Sequence, residues 1–253
     1  MTRSILAAML VVLAASGARA DDLVSGLSQD QIQITSSYTG TDIVVFGAIQ
    51  SADPSAASGD HDIVVVVRGP GAEMVVRRKV RVAGVWINRD AMTLSGLPAY
   101  YFVASNRPLK DIAIDETRER YQLGLETLEP LSESTHSPAK AEPFRLAAIR
   151  ERAREGLYRE TPTAVEFLSY SLFRVRVPVP ASVARGEYTA EVYLFRDGTV
   201  VGAQTTPLYV DQVGLERRVF GFAHGQPLLY GLAAVLMAVL LGWLSSVVFR
   251  QPG

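Results

Sequence analysis

A stretch of 22 residues without a charge, at positions 228–249, constrains this chain more than any other feature. About 20 apolar residues in a helix cross a hydrocarbon core of ~30 Å, so the stretch predicts one transmembrane helix in contact with the lipid bilayer. Tyr230 and Trp243 lie towards its two ends, where aromatic side chains favour the membrane interface. Arg250 follows directly, and residues 250–253 are predicted to form a short cytoplasmic tail.

The first twenty residues, 1–20, have the pattern of a secretory signal peptide. Arg3 supplies the positive start, residues 5–15 form an apolar segment, and Ala18-Arg19-Ala20 matches a cleavage site. An uncleaved anchor is the less favoured alternative, because the apolar segment is too short to cross a bilayer. Residues 21–227 are therefore predicted to be exported.

The orientation and the compartment follow from the charges and from two missing residue patterns. Arg217 and Arg218 on the exported side outnumber Arg250 inside, against the positive-inside tendency, but large exported domains translocate largely regardless of charge. The chain has no cysteine, and Asn88 and Asn106 do not begin an Asn-x-Ser/Thr glycosylation site. We therefore predict a bacterial inner-membrane protein with most of its chain in the periplasm.

The exported region is predicted to be mainly β. Breakers recur every 8–14 residues, which indicates a β-sandwich rather than a βαβ layout. The run Ile63-Val64-Val65-Val66-Val67 is typical of a strand buried on both faces, and Asp197-Gly198 predicts a two-residue hairpin turn. Gly186-Glu187-Tyr188 resembles the start of the immunoglobulin strand whose tyrosine braces a corner, and on this analogy we predict an immunoglobulin-like β-sandwich.

A polar and helical stretch interrupts this β pattern. Apolar residues spaced by three and four predict a helix over 142–158, with Pro143 in its first turn. We predict one sandwich domain over 21–215 with a helical insertion at about 111–165, followed by a juxtamembrane segment at 216–227. Two small β domains divided near residue 135 are the alternative.

Composition and motifs argue against an enzyme and against several other classes. Without cysteine there is no disulfide scaffold and no cysteine-ligated metal, and a net charge of −1 does not suit a nucleic-acid binder. His61, His136 and His224 have no metal-ligand spacing. Asp60-His61-Asp62 is expected to cap a strand on the surface, with contact to a cation as the less favoured alternative. No nucleophile elbow, zinc-protease or phosphate-loop motif occurs. We predict no catalytic residue, no cofactor and no metal site.

The clearest charge feature is Arg77-Arg78-Lys79-Val80-Arg81. In a strand Arg77, Lys79 and Arg81 share one face, and we name these three residues the basic stripe. The stripe predicts contact with an anion or with lipid headgroups, whereas the alternative is a solvated edge strand whose cations discourage pairing. For Trp86, which follows, a place in the sandwich core is the expectation, and a role as a contact residue is the alternative.

Small residues recur every fourth position in the transmembrane stretch. They form what we name the small-residue face, which consists of Ala234, Ala238, Gly242 and Ser246. Such a face lets another helix approach closely, although the spacing is permissive and also arises by chance. It predicts packing against a membrane-protein partner or a second copy of the chain.

The whole pattern resembles the Alph_Pro_TM family of transmembrane proteins from alpha-proteobacteria. The resemblance covers nearly the entire mature chain and is carried by residues 36–49 (SSYTGTDIVVFGAI), 62–85 (DIVVVVRGPGAEMVVRRKVRVAGV) with Trp86 and Asn88, 104–109 (ASNRPL), 156–158 (GLY), 172–174 (LFR), 186–188 (GEY), 194–198 (LFRDG), and 230–250. The resemblance implies no activity and no site residues. It implies an association with sulfite-exporter-type permeases, and hence an accessory role in the export of sulfur oxyanions or organic sulfonates.

Two functions are consistent with these observations. The first is a membrane-anchored, non-enzymatic interaction module whose helix packs on a permease and whose β domain lies over the permease's periplasmic mouth. The second is a periplasmic domain that binds or senses anions through the basic stripe.

Overall fold

The computed structural model describes residues 22–35, 38–50, 61–130, 138–212 and 222–248. The predicted signal peptide and cytoplasmic tail lie outside these residues. The described part of the chain is mainly β and ends in one long apolar helix, as predicted. Its strands are β1 (Asp22–Leu27), β2 (Gln31–Ile34), β3 (Gly40–Gln50), β4 (Asp62–Arg68), β5 (Gly71–Val82), β6 (Val85–Pro98), β7 (Tyr101–Ser105), β8 (Tyr158–Thr161), β9 (Glu166–Phe167), β10 (Leu172–Pro180), β11 (Gly186–Arg196) and β12 (Thr199–Gln212).

The helices cluster in two places. Two short ones, α1 (Leu109–Ile112) and α2 (Asp115–Arg120), precede a 3₁₀ turn at Leu125–Thr127, and α3 (Pro138–Arg154) follows. The apolar helix is α4 (Pro227–Val248). The described residues form two compact units. The first contains residues 22–32 and the described parts of 39–210, and the second contains the described parts of 33–38 and 211–248.

A six-stranded sheet in the order β2-β12-β11-β4-β7-β8 contains the most deeply buried strand. Ile63, Val64, Val65, Val66 and Val67 in β4 are all at most 1% exposed, which confirms that this strand is buried on both faces. Burying five branched side chains stabilises the fold strongly, at ~25 cal/mol per Å² of apolar area. The sheet combines strands from both sides of residue 135.

A four-stranded sheet in the order β1-β3-β10-β9 has one buried face. Alternate residues of β10 (Phe173, Val175, Val177, Val179) are buried, as expected when a strand covers a core on one side only. The hydroxyl of Tyr100, just before β7, donates to the carbonyl of Pro178 in β10 at 2.6 Å. This bond joins the two sheets across the core.

The β11–β12 hairpin has the turn that the sequence predicts. Asp197 and Gly198 connect the strands with φ of 49° and 77°. Left-handed backbone at both turn positions matches the twist of the flanking strands, and Asp-Gly adopts it readily.

The region predicted as a helical insertion contains a strand as well. β8 lies within it and pairs in parallel with β7, so the described residues contain a βαβ-like crossover, which the breaker spacing did not predict. The predicted helix is also displaced: α3 begins at Pro138, has Pro143 inside it rather than in its first turn, and ends at Arg154. Gly156, with φ of 74°, is the reason for the earlier end, because its N–H and that of Leu157 bond back to the carbonyls of Ala153 and Arg152.

Candidate functional site

Strands β5 and β6 form a long hairpin, residues 71–98, which we name the basic hairpin. Within the described residues its two strands pair only with each other. Ala83 and Gly84 make the turn, with φ of 50° and 87°, and Val82 pairs with Val85 across it. The β-branched residues on both sides of this two-residue turn favour the extended strands.

The base of the basic hairpin is anchored in the core. Met92, Leu94 and Leu97 of β6 are buried. Helix α3 covers one face of β5, where the Nε of Arg152 donates to the sulfur of Met74 at 3.3 Å. The base is therefore packed against the rest of the domain, and the remainder of the hairpin extends from it.

The far end of the basic hairpin is exposed on both faces. We name four of its side chains the apolar tip: Val82, Val85, Trp86 and Ile87, which are 43%, 63%, 64% and 43% exposed. The expectation that Trp86 belongs to the core was wrong. Core placement would require sheet or helix cover at this position, whereas Trp86 pairs with Arg81 near the turn of a free hairpin.

The structure places the basic stripe, Arg77, Lys79 and Arg81, on the face of β5 that α3 does not cover. All three residues are exposed, and within the described part of the chain no carboxylate forms an ion pair with them. Arg81 makes one long bond, from its Nε to the carbonyl of Gly84 at 3.4 Å. Side chains on one strand face repeat every ~7 Å, so the three charges lie within ~14 Å. Anion binding by this stripe stays a prediction.

Arg78 belongs to the opposite face and is already engaged. Its Nε donates to Asp90 at 3.1 Å, and its guanidinium lies 5.9 Å from the ring centroid of Phe144 in α3. This cation therefore supports the packing of the hairpin on α3 rather than a free charged surface.

The small-residue face lies on α4. Within the described helix no residue of the window 227–245 is buried, and a Cβ added at Gly242 would meet no atom within 4 Å. Ala234, Ala238, Gly242 and Ser246 are spaced by four, which keeps them along one side of a helix. Helix packing through this face stays a prediction.

The sequence led us to expect that His61 and Asp62 cap a strand on the surface, and the structure does not bear this out. Both are buried, and the Nε2 of His61 is 2.6 Å from an Nη of Arg196. Burial alone would raise the pKa of the Asp62 carboxyl, but hydrogen bonds from Arg107 and Asn106 outweigh it and lower that pKa. Among the described residues no group of three His, Asp or Glu side chains could hold a metal ion.

A second polar cluster lies between the six-stranded sheet and the segment after α2. Arg68 forms an ion pair with Glu191, and it donates to the carbonyls of Tyr121 at 2.6 Å and Gln122 at 3.2 Å. Tyr101 donates to the Gln122 carbonyl at 2.8 Å, and burial raises the pKa of its phenol. Because every one of these groups is engaged within the chain, we interpret the cluster as structural. Sequence reasoning missed it, since Arg68 and Glu191 are 123 positions apart.

Comparison with known protein families identifies a family that contains this pattern. A family described as Putative transmembrane protein (Alph_Pro_TM) matches residues 22–251 of this chain. No curated protein matches significantly. The match begins after the predicted signal peptide and includes both the basic hairpin and α4.

Proposed function

This chain belongs to the Alph_Pro_TM family of transmembrane proteins, and we propose on that premise that it is a membrane-anchored, non-enzymatic interaction module. In this proposal α4 crosses the bacterial inner membrane once, after removal of the signal peptide, and residues 21–215 lie in the periplasm. The observation that carries the proposal is the combination of a wholly unburied apolar helix with a hairpin whose apolar tip is uncovered. Exposed apolar surfaces of this kind mark contacts with a membrane or another protein.

The proposed partner of α4 is another membrane protein, a permease of the sulfite-exporter type, with a second copy of the chain as the competing occupant. The permease comes from the family resemblance, and the small-residue face supplies a surface on which a helix could pack. Lipid gives no hydrophobic drive for helix association, so close backbone approach over small residues is what favours it.

We further infer that the exported region is an immunoglobulin-like β-sandwich. Two mostly antiparallel sheets that share one core support this inference, together with the bracing contact of Tyr188. Its hydroxyl donates to the carbonyl of Ala184, four residues earlier, at 2.5 Å. The tyrosine corner of immunoglobulin-like domains has this geometry.

Enlarging the small-residue face is expected to release the partner of α4. In the full chain, tagged and solubilised in mild detergent from its native membrane, the double change Ala238→Leu with Gly242→Leu should reduce co-purified partner about tenfold. The bulky side chains would hold the two helix backbones apart. Quantitative mass spectrometry of the co-purified proteins measures the change.

Leu236→Phe with Leu240→Phe provides the matched control, because it adds volume on the opposite side of α4. This control should retain every partner. Equal partner recovery from the parent chain and the Ala238→Leu, Gly242→Leu variant would contradict the role of the small-residue face.

Anion binding by the basic hairpin is the second candidate function. The basic stripe favours it, since it presents three exposed cations without an ion-pair partner among the described residues. Isothermal titration of the full chain in detergent with sulfite, sulfate and taurine should give saturable heat with at least one of them. The triple variant Arg77→Gln, Lys79→Gln, Arg81→Gln should abolish this heat. The control variant Arg176→Gln, on β10, should retain it. If the parent chain gives no heat with any of the three anions, the basic hairpin does not have this function.

A further inference from the structure

We propose that the apolar tip of the basic hairpin inserts into the headgroup region of an anionic lipid bilayer, with the basic stripe above it against the lipid phosphates. The proposal goes beyond an interaction with a permease or a soluble anion, because it assigns the hairpin a second contact with the membrane itself. It requires only that the chain is held at a membrane.

The first argument is the exposure of the tip. Residues 81–89 are exposed without a break. The apolar tip occupies one end of a narrow two-stranded element, with Trp86 on the face of Arg81 and the three aliphatic side chains on the other face. Scattered exposed apolar residues are ordinary, but a tryptophan grouped with three aliphatic side chains on a projecting turn is not. Trp86 has the amphipathic ring that favours the membrane interface.

The second argument is the charge of the hairpin. Residues 71–98 contain five cations and two carboxylates, Glu73 and Asp90, for a net charge of +3 (5 − 2). The whole chain has a net charge of −1, so all other residues together have −4 (−1 − 3). Asp90 is held by Arg78, and the basic stripe faces away from that pair. A concentrated positive charge on an otherwise acidic chain complements an anionic lipid surface.

The third argument is the order of these features along the hairpin. The turn is closed by the pair Val82–Val85, and Arg81, Lys79 and Arg77 lie one, three and five residue pairs behind that pair. A bilayer interface has the same order in depth, with acyl chains beneath and phosphates above. A protein partner would instead need a surface with an apolar pocket and acidic rim. Compared with a soluble partner, the bilayer is also present at a higher effective concentration, because α4 of the same chain anchors the hairpin to it.

The test uses the full chain in lipid vesicles with Trp86 as the reporter. The chain has two tryptophans, so Trp243→Phe leaves Trp86 alone. Vesicles of phosphatidylcholine with phosphatidylglycerol are compared with matched vesicles whose acyl chains are brominated near the headgroup. Bromine should lower Trp86 emission about twofold and only slightly in pure phosphatidylcholine. Arg77→Gln, Lys79→Gln, Arg81→Gln should reduce this quenching, and Arg176→Gln should leave it unchanged.

Equal emission with and without bromine would overturn the proposal. A blue-shifted emission without quenching would also overturn it, and would assign the tip to a protein surface or a second copy. Since α4 holds the chain in every vesicle, a negative result leaves the proposed anchor and partner intact. Because the chain has no cysteine, Val85→Cys labelled with a polarity-sensitive dye gives an independent measurement that keeps both tryptophans. Dye emission independent of anionic lipid would likewise contradict insertion.

Discussion

Replacing Arg68 by methionine is expected to lower the free energy of unfolding by about 3 kcal/mol. Arg68 and Glu191 are both largely shielded from water, with side chains 18% and 20% exposed. Methionine preserves most of the apolar stem but leaves the Glu191 carboxylate and the carbonyls of Tyr121 and Gln122 without this donor. The cost of a shielded charge without its partner is larger than the value of the bond itself.

The effect should spread along a defined path of contacts. Segment 121–128 is held to the sheet by Arg68 at one end, and Arg145 of α3 donates to the carbonyls of Glu126 at 3.0 Å and Leu128 at 2.8 Å at the other. Helix α3 in turn packs on β5. We therefore expect Arg68→Met to increase hydrogen–deuterium exchange in segment 121–128 first, and at the base of the basic hairpin next.

Arg174→Met is the matched control for this experiment. Arg174 also forms an ion pair, with Glu166 at 2.9 Å, but their side chains are 40% and 57% exposed. Exposed pairs contribute about 0–1 kcal/mol, so this variant should unfold almost like the parent chain. Urea unfolding in detergent, followed by circular dichroism, measures both variants. Equal midpoints for the two would show that the Arg68 cluster does not stabilise the fold.

The features that could be predicted from the sequence are those that depend on residues close together along the chain. The Asp197-Gly198 turn, the buried β4 run and the apolar helix each follow from a pattern within a few residues, and the structure has all three. The end of α3 could also have been predicted, because a glycine such as Gly156 commonly ends a helix. The helical spacing of Leu157 instead favoured a longer helix.

What could not be predicted depends on pairing between distant segments. The parallel pairing of β7 with β8 and the contact of Arg68 with Glu191 join residues dozens of positions apart, and no local spacing encodes either. Exposure of Trp86 belongs to the same class. Its surroundings suit a core strand equally well, and only the absence of a further strand beside the basic hairpin, among the described residues, leaves it exposed.

Adding one methyl group at Gly47 is expected to destabilise the fold by about 3 kcal/mol. A Cβ at this position would lie 2.5 Å from Cζ of Phe173 and 2.7 Å from the carbonyl oxygen of Val24. Phe173 is fully buried in β10, and Val24 is on β1, so neither neighbour can move without disturbing the pairing of β3 on both sides. Gly47→Ala should therefore lower the thermal midpoint of the full chain in detergent, measured by the loss of the β signal in circular dichroism.

Gly71→Ala separates this steric effect from the general effect of replacing a strand glycine. The nearest atom to a Cβ at Gly71 is Cα of Gly96, at 4.0 Å, and Gly71 is exposed. Alanine reduces the freedom of the unfolded chain, so Gly71→Ala should be neutral or stabilising by up to about 1 kcal/mol. The two variants make the same chemical change, and only Gly47→Ala should lower the midpoint. If Gly47→Ala and Gly71→Ala have the same thermal midpoint, then β3 does not pack against Phe173 as closely as these distances require.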